Sequence, residues 1–222
     1  MIKIRKIIDE IKKDKFTVLG IFLFAIFSAT TFELFNRPWG EVTNLWIPFD
    51  DKIPFIKELI IVYHTFMPMI IITGIIIFYF NKEEYKKLVI SLFLTQISAY
   101  IIYVLFQTHV PRYDTNLLGN DVFSNLVRAT YSIDNSYSGA PSLHVADMTL
   151  CILYLMRIEE IKLSTRTILS LYMILIALTT VLVKQHVVLD IPAGLIHALI
   201  NFFITNLIYN KFISSKNTIN KS

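Results

Sequence analysis

Three short segments, far apart in the chain, carry a guanidinium, an ammonium, a hydroxyl, two imidazoles and a carboxylate. The residues are Arg112, Ser142, His144, Lys184, His186 and Asp190. Each segment lies at the edge of a long apolar run. Cations and imidazoles that meet at such an edge can bind a phosphate group and move its protons. The spacing therefore indicates phosphoryl-transfer chemistry.

The last segment holds a histidine and a carboxylate one helical turn apart. His186 and Asp190 are four residues apart, so their side chains can meet. A carboxylate that accepts from one imidazole nitrogen leaves the other nitrogen free as a base or nucleophile. Pro192 is tolerated only in the first turn of a helix. We therefore expect the last helix to begin near Val188, with His186 just outside it.

The middle segment opens the fourth apolar run. Ser142 is placed to cap that helix, and the free N–H groups there, together with the helix dipole, favour an anion. Capping alone also accounts for Ser142. An imidazole at this position, His144, would protonate the leaving oxygen of a bound phosphate ester.

The first segment supplies a cation just outside the third apolar run. The guanidinium of Arg112 fits two phosphate oxygens at once, although a lipid headgroup is an alternative partner. Lys184 would add a second positive charge. Two further contacts are possible: His109 near the first segment, and Asp147, whose charge would stabilise a protonated His144.

The composition predicts an all-α membrane protein. Of 222 residues, 55% are hydrophobic and only 17% charged, against roughly 25% charged in soluble domains. Six apolar runs approach the roughly 20 residues that span a bilayer as helix. They cover residues 16–35, 59–80, 88–106, 143–158, 167–183 and 188–209, the fourth and fifth being short. We expect a six-helix transmembrane bundle forming one domain over residues 1–222, with catalytic segments at about 107–194.

The basic residues predict the orientation. Fifteen of the 21 Lys and Arg residues lie in the N-terminal segment, in alternate loops and after residue 210. The positive-inside rule then places both termini in the cytoplasm and all three segments on the external face of the cytoplasmic membrane. Residues 1–15 alternate Ile with Lys and Arg, which predicts an amphipathic surface helix. Since the basic residues flank spans, they indicate anionic lipid rather than nucleic acid.

The remaining sequence features add little chemistry. The single cysteine, Cys151, lies inside an apolar run and predicts a buried side chain rather than a disulfide. The long polar loop over residues 107–141 is expected to form a cap over the bundle. No pattern specifies an oligomeric state.

The order Pro-Arg, Pro-Ser-x-His and His-x-x-x-Asp resembles the type 2 phosphatidic acid phosphatase (PAP2, haloperoxidase-like) superfamily. The fuller strings Val-Pro-Arg, Pro-Ser-Leu-His-Val-Ala and Lys-Gln-His-Val-Val-Leu-Asp are similar to the branch that contains fungal inositol phosphorylceramide synthase. The six-helix layout extends the resemblance over essentially the whole chain.

The resemblance implies a role for each matching residue. His186 would be the nucleophile that forms a phosphohistidine, and Asp190 would orient it. His144 would be the general acid, while Arg112 and Ser142 would bind phosphate. The family requires no metal or cofactor, and the implied substrate is a lipid phosphate in the bilayer.

The chain departs from the phosphatase pattern at three places. Leu105 stands where the pattern has Lys, and Tyr113 where it has Pro, which makes Tyr113 a further possible site residue. Thr179 and Thr180 replace Ser-Arg, so two cations are missing, and Lys184 would replace one. The synthase-like branch shares these losses, which favours transfer to an alcohol.

Four functions are compatible with these residues. The first is a lipid-phosphate phosphatase acting through phosphohistidine, and the alternative is a phosphotransferase that passes a phospho-headgroup to a lipid hydroxyl. A small transporter would use the imidazoles and Asp190 as a proton relay. A zinc enzyme would use them as metal ligands.

Overall fold

The computed structural model describes residues 4–219, with side chains described for residues 5–211, and is mostly helical. The helices are α1 (Ile4–Lys13), α2 (Lys15–Phe35), α3 (Ile60–His64), α4 (Phe66–Phe80), α5 (Lys82–Leu105), α6 (Val122–Ile133), α7 (Leu143–Leu155), α8 (Leu163–Leu182) and α9 (Asp190–Ile219). Two three-residue strands, β1 (Val42–Asn44) and β2 (Gln107–His109), pair in parallel. These strands were not predicted from the sequence, because such short segments carry no periodic signal.

Five segments are long and apolar enough to cross a membrane, against the six predicted. They are Lys15–Phe35, Lys57–Phe80, Lys82–Leu105, Leu163–Leu182 and Asp190–Lys211. The fifth predicted run, 167–183, is longer than expected, because the more polar residues 163–166 before it are also helical. The fourth corresponds to α7, which has only 13 residues. The sixth crossing, and a position for α1 at the membrane surface, remain predictions.

Helix α7 lies at the centre of the bundle, in contact with α4, α5, α8 and α9. Its side chains are buried on several sides, including Ala146, Leu150 and the free Cys151. A helix enclosed by other helices does not need the length of a lipid-exposed one, because its ends meet protein rather than the headgroup layer. The short helix can therefore carry polar side chains into the bundle.

The connections at one end of the bundle are ordered by their own hydrogen bonds. Asp121 caps α6, its carboxylate accepting from the backbone N–H groups of Phe123 and Ser124, both at 3.1 Å. Helix α6 packs on α3, within the long loop predicted to cap the bundle. The β1–β2 pair joins the loop that follows α2 to the start of this loop.

The beginnings of α7 and α9 approach each other closely at a glycine. The backbone N–H of Ser142 donates to the carbonyl of Asp190 at 3.4 Å. A Cβ on Gly194 would lie 2.6 Å from the Ser142 carbonyl oxygen and 3.0 Å from Cβ of Val145. Only glycine permits this approach without moving backbone.

We predict that Gly194→Ala destabilises the bundle by about 1–3 kcal/mol, because the added methyl group overpacks a backbone contact. The measurement is thermal unfolding in detergent. Gly119→Ala is the control, since its Cβ would make only an ordinary 3.6 Å contact. Equal melting temperatures for the two variants would contradict this prediction, because they would show that α7 and α9 move apart without loss of stability.

Candidate active site

His186 lies in the short loop between α8 and α9, and its ring is fixed from both sides. Nδ1 is 3.0 Å from Oδ2 of Asp190, which also accepts from the backbone N–H of Val187 at 3.0 Å. The carboxylate is fully buried. Because a carboxylate accepts, Nδ1 carries the proton and the lone pair belongs to Nε2. The start of α9 at Asp190, with Pro192 in its first turn, agrees with the predicted helix beginning.

Ser142 connects the second and third segments. Its hydroxyl is 3.1 Å from Nε2 of His186, and it caps α7 by accepting from the N–H of Val145 at 3.4 Å. The Tyr103 hydroxyl donates to the Pro141 carbonyl at 2.7 Å, which fixes the chain just before the cap. The capping residue and the imidazole thus belong to one buried hydrogen-bonded unit.

His144 brings a second imidazole to the same place. The centres of the His144 and His186 rings are 5.8 Å apart. The His144 ring stacks on Tyr63 at 4.7 Å and lies 4.2 Å from the ring of Phe66. These aromatic contacts fix the plane of the ring while leaving its nitrogens available to a ligand.

Arg112 is held by the backbone of two loops. Its terminal nitrogens donate to the carbonyls of Asn135 at 2.8 Å and Lys184 at 3.3 Å, and to the side-chain oxygen of Gln185. The guanidinium also lies 5.0 Å from the ring of Tyr131. Nε is buried and has no partner among the described residues. The free donor is therefore Nε–H, rather than the two-pronged face expected from the sequence.

The ammonium group of Lys184 is held by backbone carbonyls. Its ammonium donates to the carbonyls of Asp50 at 2.9 Å and Ile53 at 2.8 Å. Partial burial lowers the pKa of Lys184 below its ordinary value, with nearby acidic groups opposing the change. The side chain lines a neighbouring depression that also contains Arg112 and His186. Its predicted phosphate contact remains a prediction.

A cavity of about 170 Å³ brings together three of the six main predicted residues, Arg112, His144 and His186. Its polar or charged lining residues are Ser28, Tyr103, Arg112, Asp134, Tyr137, Ser138, His144, Asp147, Gln185 and His186. Of the possible contacts, Asp147 lines this cavity. Tyr113 stacks on Phe55 with 4.0 Å between ring centres, and His109 pairs with Tyr137, so neither lies in the cavity wall.

Three residues of this region were missed by the sequence analysis. Gln185 lies between Lys184 and His186, which were predicted to belong to the site, and this position was the signal that could have identified it. Asp50 accepts from the N–H groups of Val188 at 2.8 Å and Ile47 at 2.9 Å, which ties the loop before α3 to the loop carrying His186. Asp134 lines the cavity from the long loop, where no local pattern distinguishes it from its neighbours.

The cavity can accept a tetrahedral anion. The buried Nε of Arg112 and the side-chain nitrogen of Gln185 are donors without partners among the described residues. The N-terminal end of α7 adds the helix dipole. The imidazoles of His144 and His186 both line the same cavity. Within the described part of the chain, no group of three His, Cys, Asp or Glu side chains is arranged to hold a metal ion.

Asp134 introduces a negative charge beside the cation. Burial raises the pKa of Asp134 above its ordinary value of 3.8, and Arg112, 3.7 Å away, opposes this with a smaller effect. Below the raised pKa the group is neutral. As pH rises through it, a carboxylate appears next to Arg112 and opposes any bound anion.

We predict that Asp134→Asn binds sulfate more tightly than the wild type, with the difference growing as pH rises through the raised pKa of Asp134 and reaching on the order of tenfold once the carboxyl group is ionised. Sulfate keeps its charge over this range, so the ratio of variant to wild-type affinity isolates Asp134 from the imidazoles. Titration calorimetry in detergent measures it. A ratio that does not change with pH would contradict the assignment.

One of three comparisons with known proteins matches this chain. A family model described as the PAP2 superfamily matches residues 36–204. No curated protein and no solved structure matches the chain. The matched range covers most of the chain and contains all three segments, which confirms the resemblance at the level of the superfamily. The chain is a member of the PAP2 superfamily.

Proposed function

We propose that this membrane protein hydrolyses phosphate esters or anhydrides of membrane lipids through a phosphohistidine on His186. The family supports phosphatase or phosphotransferase activity. The observation that carries the proposal is the arrangement around His186. Its Nδ1 is 3.0 Å from the Asp190 carboxylate, its Nε2 is 3.1 Å from the Ser142 hydroxyl, its ring lines the cavity, and the centre of the His144 ring lies 5.8 Å from its own.

The first step is displacement at phosphorus. Nε2 of His186 attacks, the bond from phosphorus to the ester oxygen breaks, and His144 gives its proton to the departing oxygen. The positive charge that develops on the His186 ring is stabilised by Asp190. The Ser142 hydroxyl, which occupies Nε2 in the free protein, turns to a phosphate oxygen and so releases the lone pair.

The second step reverses the proton transfer. His144, now neutral, accepts a proton from water as the water oxygen attacks phosphorus and the bond to Nε2 breaks. Inorganic phosphate leaves, and both imidazoles regain their starting protonation. Throughout, Nε–H of Arg112 and the Gln185 amide hold the phosphate oxygens. Lys184 contributes positive charge from the neighbouring depression.

Transfer to an alcohol is the second candidate. The lining of the cavity also includes the small or apolar side chains Ala29, Phe32 and Leu143. An alcohol held there could replace water in the second step. The missing cations at Leu105 and Thr180 also favour this alternative, which resembles inositol phosphorylceramide synthase.

We propose that the chain lies in the cytoplasmic membrane with both termini in the cytoplasm and the site on the external face. Support comes from the loops: most Lys and Arg residues flank the bundle end opposite the cavity. A transporter would need polar groups spread through the membrane depth, whereas these cluster at helix ends. Activity that survives chelator and is lost to vanadate would argue against a zinc enzyme.

We predict that His186→Ala abolishes covalent labelling by any radioactive lipid phosphate that labels the wild type, because the nucleophilic nitrogen is gone. His144→Ala should retain labelling but lower turnover by roughly 10²–10⁴-fold, the usual contribution of a general acid. Acid-quenched protein separated by electrophoresis gives the labelling, and phosphate release gives turnover.

The matched control is His197→Ala. His197 is a buried histidine that bonds to Ser98 and to the carbonyl of Thr95, both at 3.1 Å, outside the cavity wall. It should label like the wild type. Labelling that persists in His186→Ala would refute the phosphohistidine.

A panel of lipid phosphates with and without added diacylglycerol separates hydrolysis from transfer. We expect free phosphate from at least one lipid in the absence of an alcohol. A new phospholipid on thin-layer chromatography, without free phosphate, would instead establish the transferase.

A further inference from the structure

Asp147 carries a buried carboxyl group for which the chemistry above has no use. It lies on α7 one turn after His144, is 0% exposed, and lines the cavity. Both carboxyl oxygens lack a hydrogen-bond partner among the described residues. In particular, the group does not bond to His144, the contact considered from the sequence.

An unpartnered carboxyl group is costly in either protonation state. When ionised it offers only acceptors, and when protonated it still offers one donor and one acceptor. Buried groups of this kind nearly always have a partner. Buried hydroxyls without partners elsewhere, such as those of Ser170 and Thr205, lie outside the cavity wall. Apart from the two phosphate donors, Asp147 is the one residue in the described part of the chain whose unpartnered buried group lines this cavity.

The surroundings of Asp147 restrict what that ligand can be. The Tyr103 hydroxyl is already engaged with the Pro141 carbonyl. Arg112 is the one Lys or Arg side chain in the described cavity wall, and carbonyl oxygens hold it. No Lys or Arg side chain of the described cavity wall is therefore free to pair with Asp147, and the ring of His144 does not bond to it. A neutral donor such as a hydroxyl satisfies the carboxyl without bringing in further charge.

The spacing to His144 fits a hydroxyl near the reacting oxygen. Side chains three positions apart on a helix have Cβ atoms about 5–6 Å apart. Vicinal oxygens of a diol lie about 3 Å apart, and each hydrogen bond adds about 2.8 Å. An alcohol whose ester oxygen meets His144 can thus present its neighbouring hydroxyl to Asp147.

We propose that Asp147 binds a free hydroxyl on the alcohol part of the substrate, adjacent to the phosphate ester oxygen. The substrate class is therefore phosphate esters of 1,2-diols and polyols, and the same contact would select a polyol acceptor in a transfer reaction. This inference rests on the proposed function, because His144 fixes where the ester oxygen lies. Asp147 is a specificity-determining residue that takes no part in bond making.

The test compares two esters that differ by one hydroxyl group: dodecyl phosphate and 2-hydroxydodecyl 1-phosphate. We expect the wild type to prefer the hydroxylated ester by about tenfold or more in kcat/KM, since hydrogen bonds to a carboxylate discriminate at this level. Asp147→Leu should reduce the preference to within about twofold, while Asp147→Asn should retain part of it.

Thr205→Val is the matched control, since it removes a buried, unpartnered hydroxyl outside the cavity wall. It should leave the preference unchanged. Asp147→Leu should also raise the melting temperature by a few degrees, because an unsatisfied buried group is lost. Equal kcat/KM for the two esters in the wild type would overturn the inference. So would Asp147 variants that slow both esters equally.

A binding measurement separates this inference from the proposed function. If 1,2-dodecanediol protects the wild type but not Asp147→Leu against thermal unfolding, and 1-dodecanol protects neither, the hydroxyl site stands even if neither ester is hydrolysed. If both esters are hydrolysed without preference and the diol gives no protection, the proposed function stands and the hydroxyl site falls.

Discussion

The hydrogen bond between His186 and Asp190 is the contact on which the rest of the site depends. It assigns the proton to Nδ1 and so leaves the lone pair on Nε2, the nitrogen that we propose as the nucleophile. Asp190 is also the first residue of α9, so the position of the helix sets the position of the imidazole. The carboxylate lies where the beginnings of α7 and α9 meet, a junction that Gly194 makes possible. The packing of α7 against α9 and the tautomer of His186 therefore depend on the same carboxylate.

Around this contact, polar groups are buried inside an apolar bundle. Polar groups inside an apolar bundle are costly unless they are paired. Loops supply the pairs: Asp50 holds the backbone that carries His186, and carbonyls from two loops hold Arg112. Among the described residues of the cavity wall, the buried donors left unpaired are Nε of Arg112 and the Gln185 amide, which a phosphate would satisfy. The unpaired groups therefore describe the ligand.

Much of the fold and part of the site could be predicted from the sequence. Long apolar runs have few alternatives to helix in a bilayer, so five spans were found with small errors at their ends. His186 and Asp190 are one turn apart, and local geometry brings them together. The central position of α7 could not be predicted, because its 13 residues carry no signal of what surrounds them. The strands and the roles of Asp50 and Asp134 were missed for the same reason.

The sequence by itself determined which chemical groups are present and, through the family match, the class of reaction they serve. Only the tertiary structure decided which partner each of those groups bonds to. It directed Lys184 to the carbonyls of Asp50 and Ile53, occupied the terminal nitrogens of Arg112, and left Asp147 without a partner. The reason is physical: the partners of a buried polar group come from segments distant in the chain, and their distances are set by packing that no local pattern records.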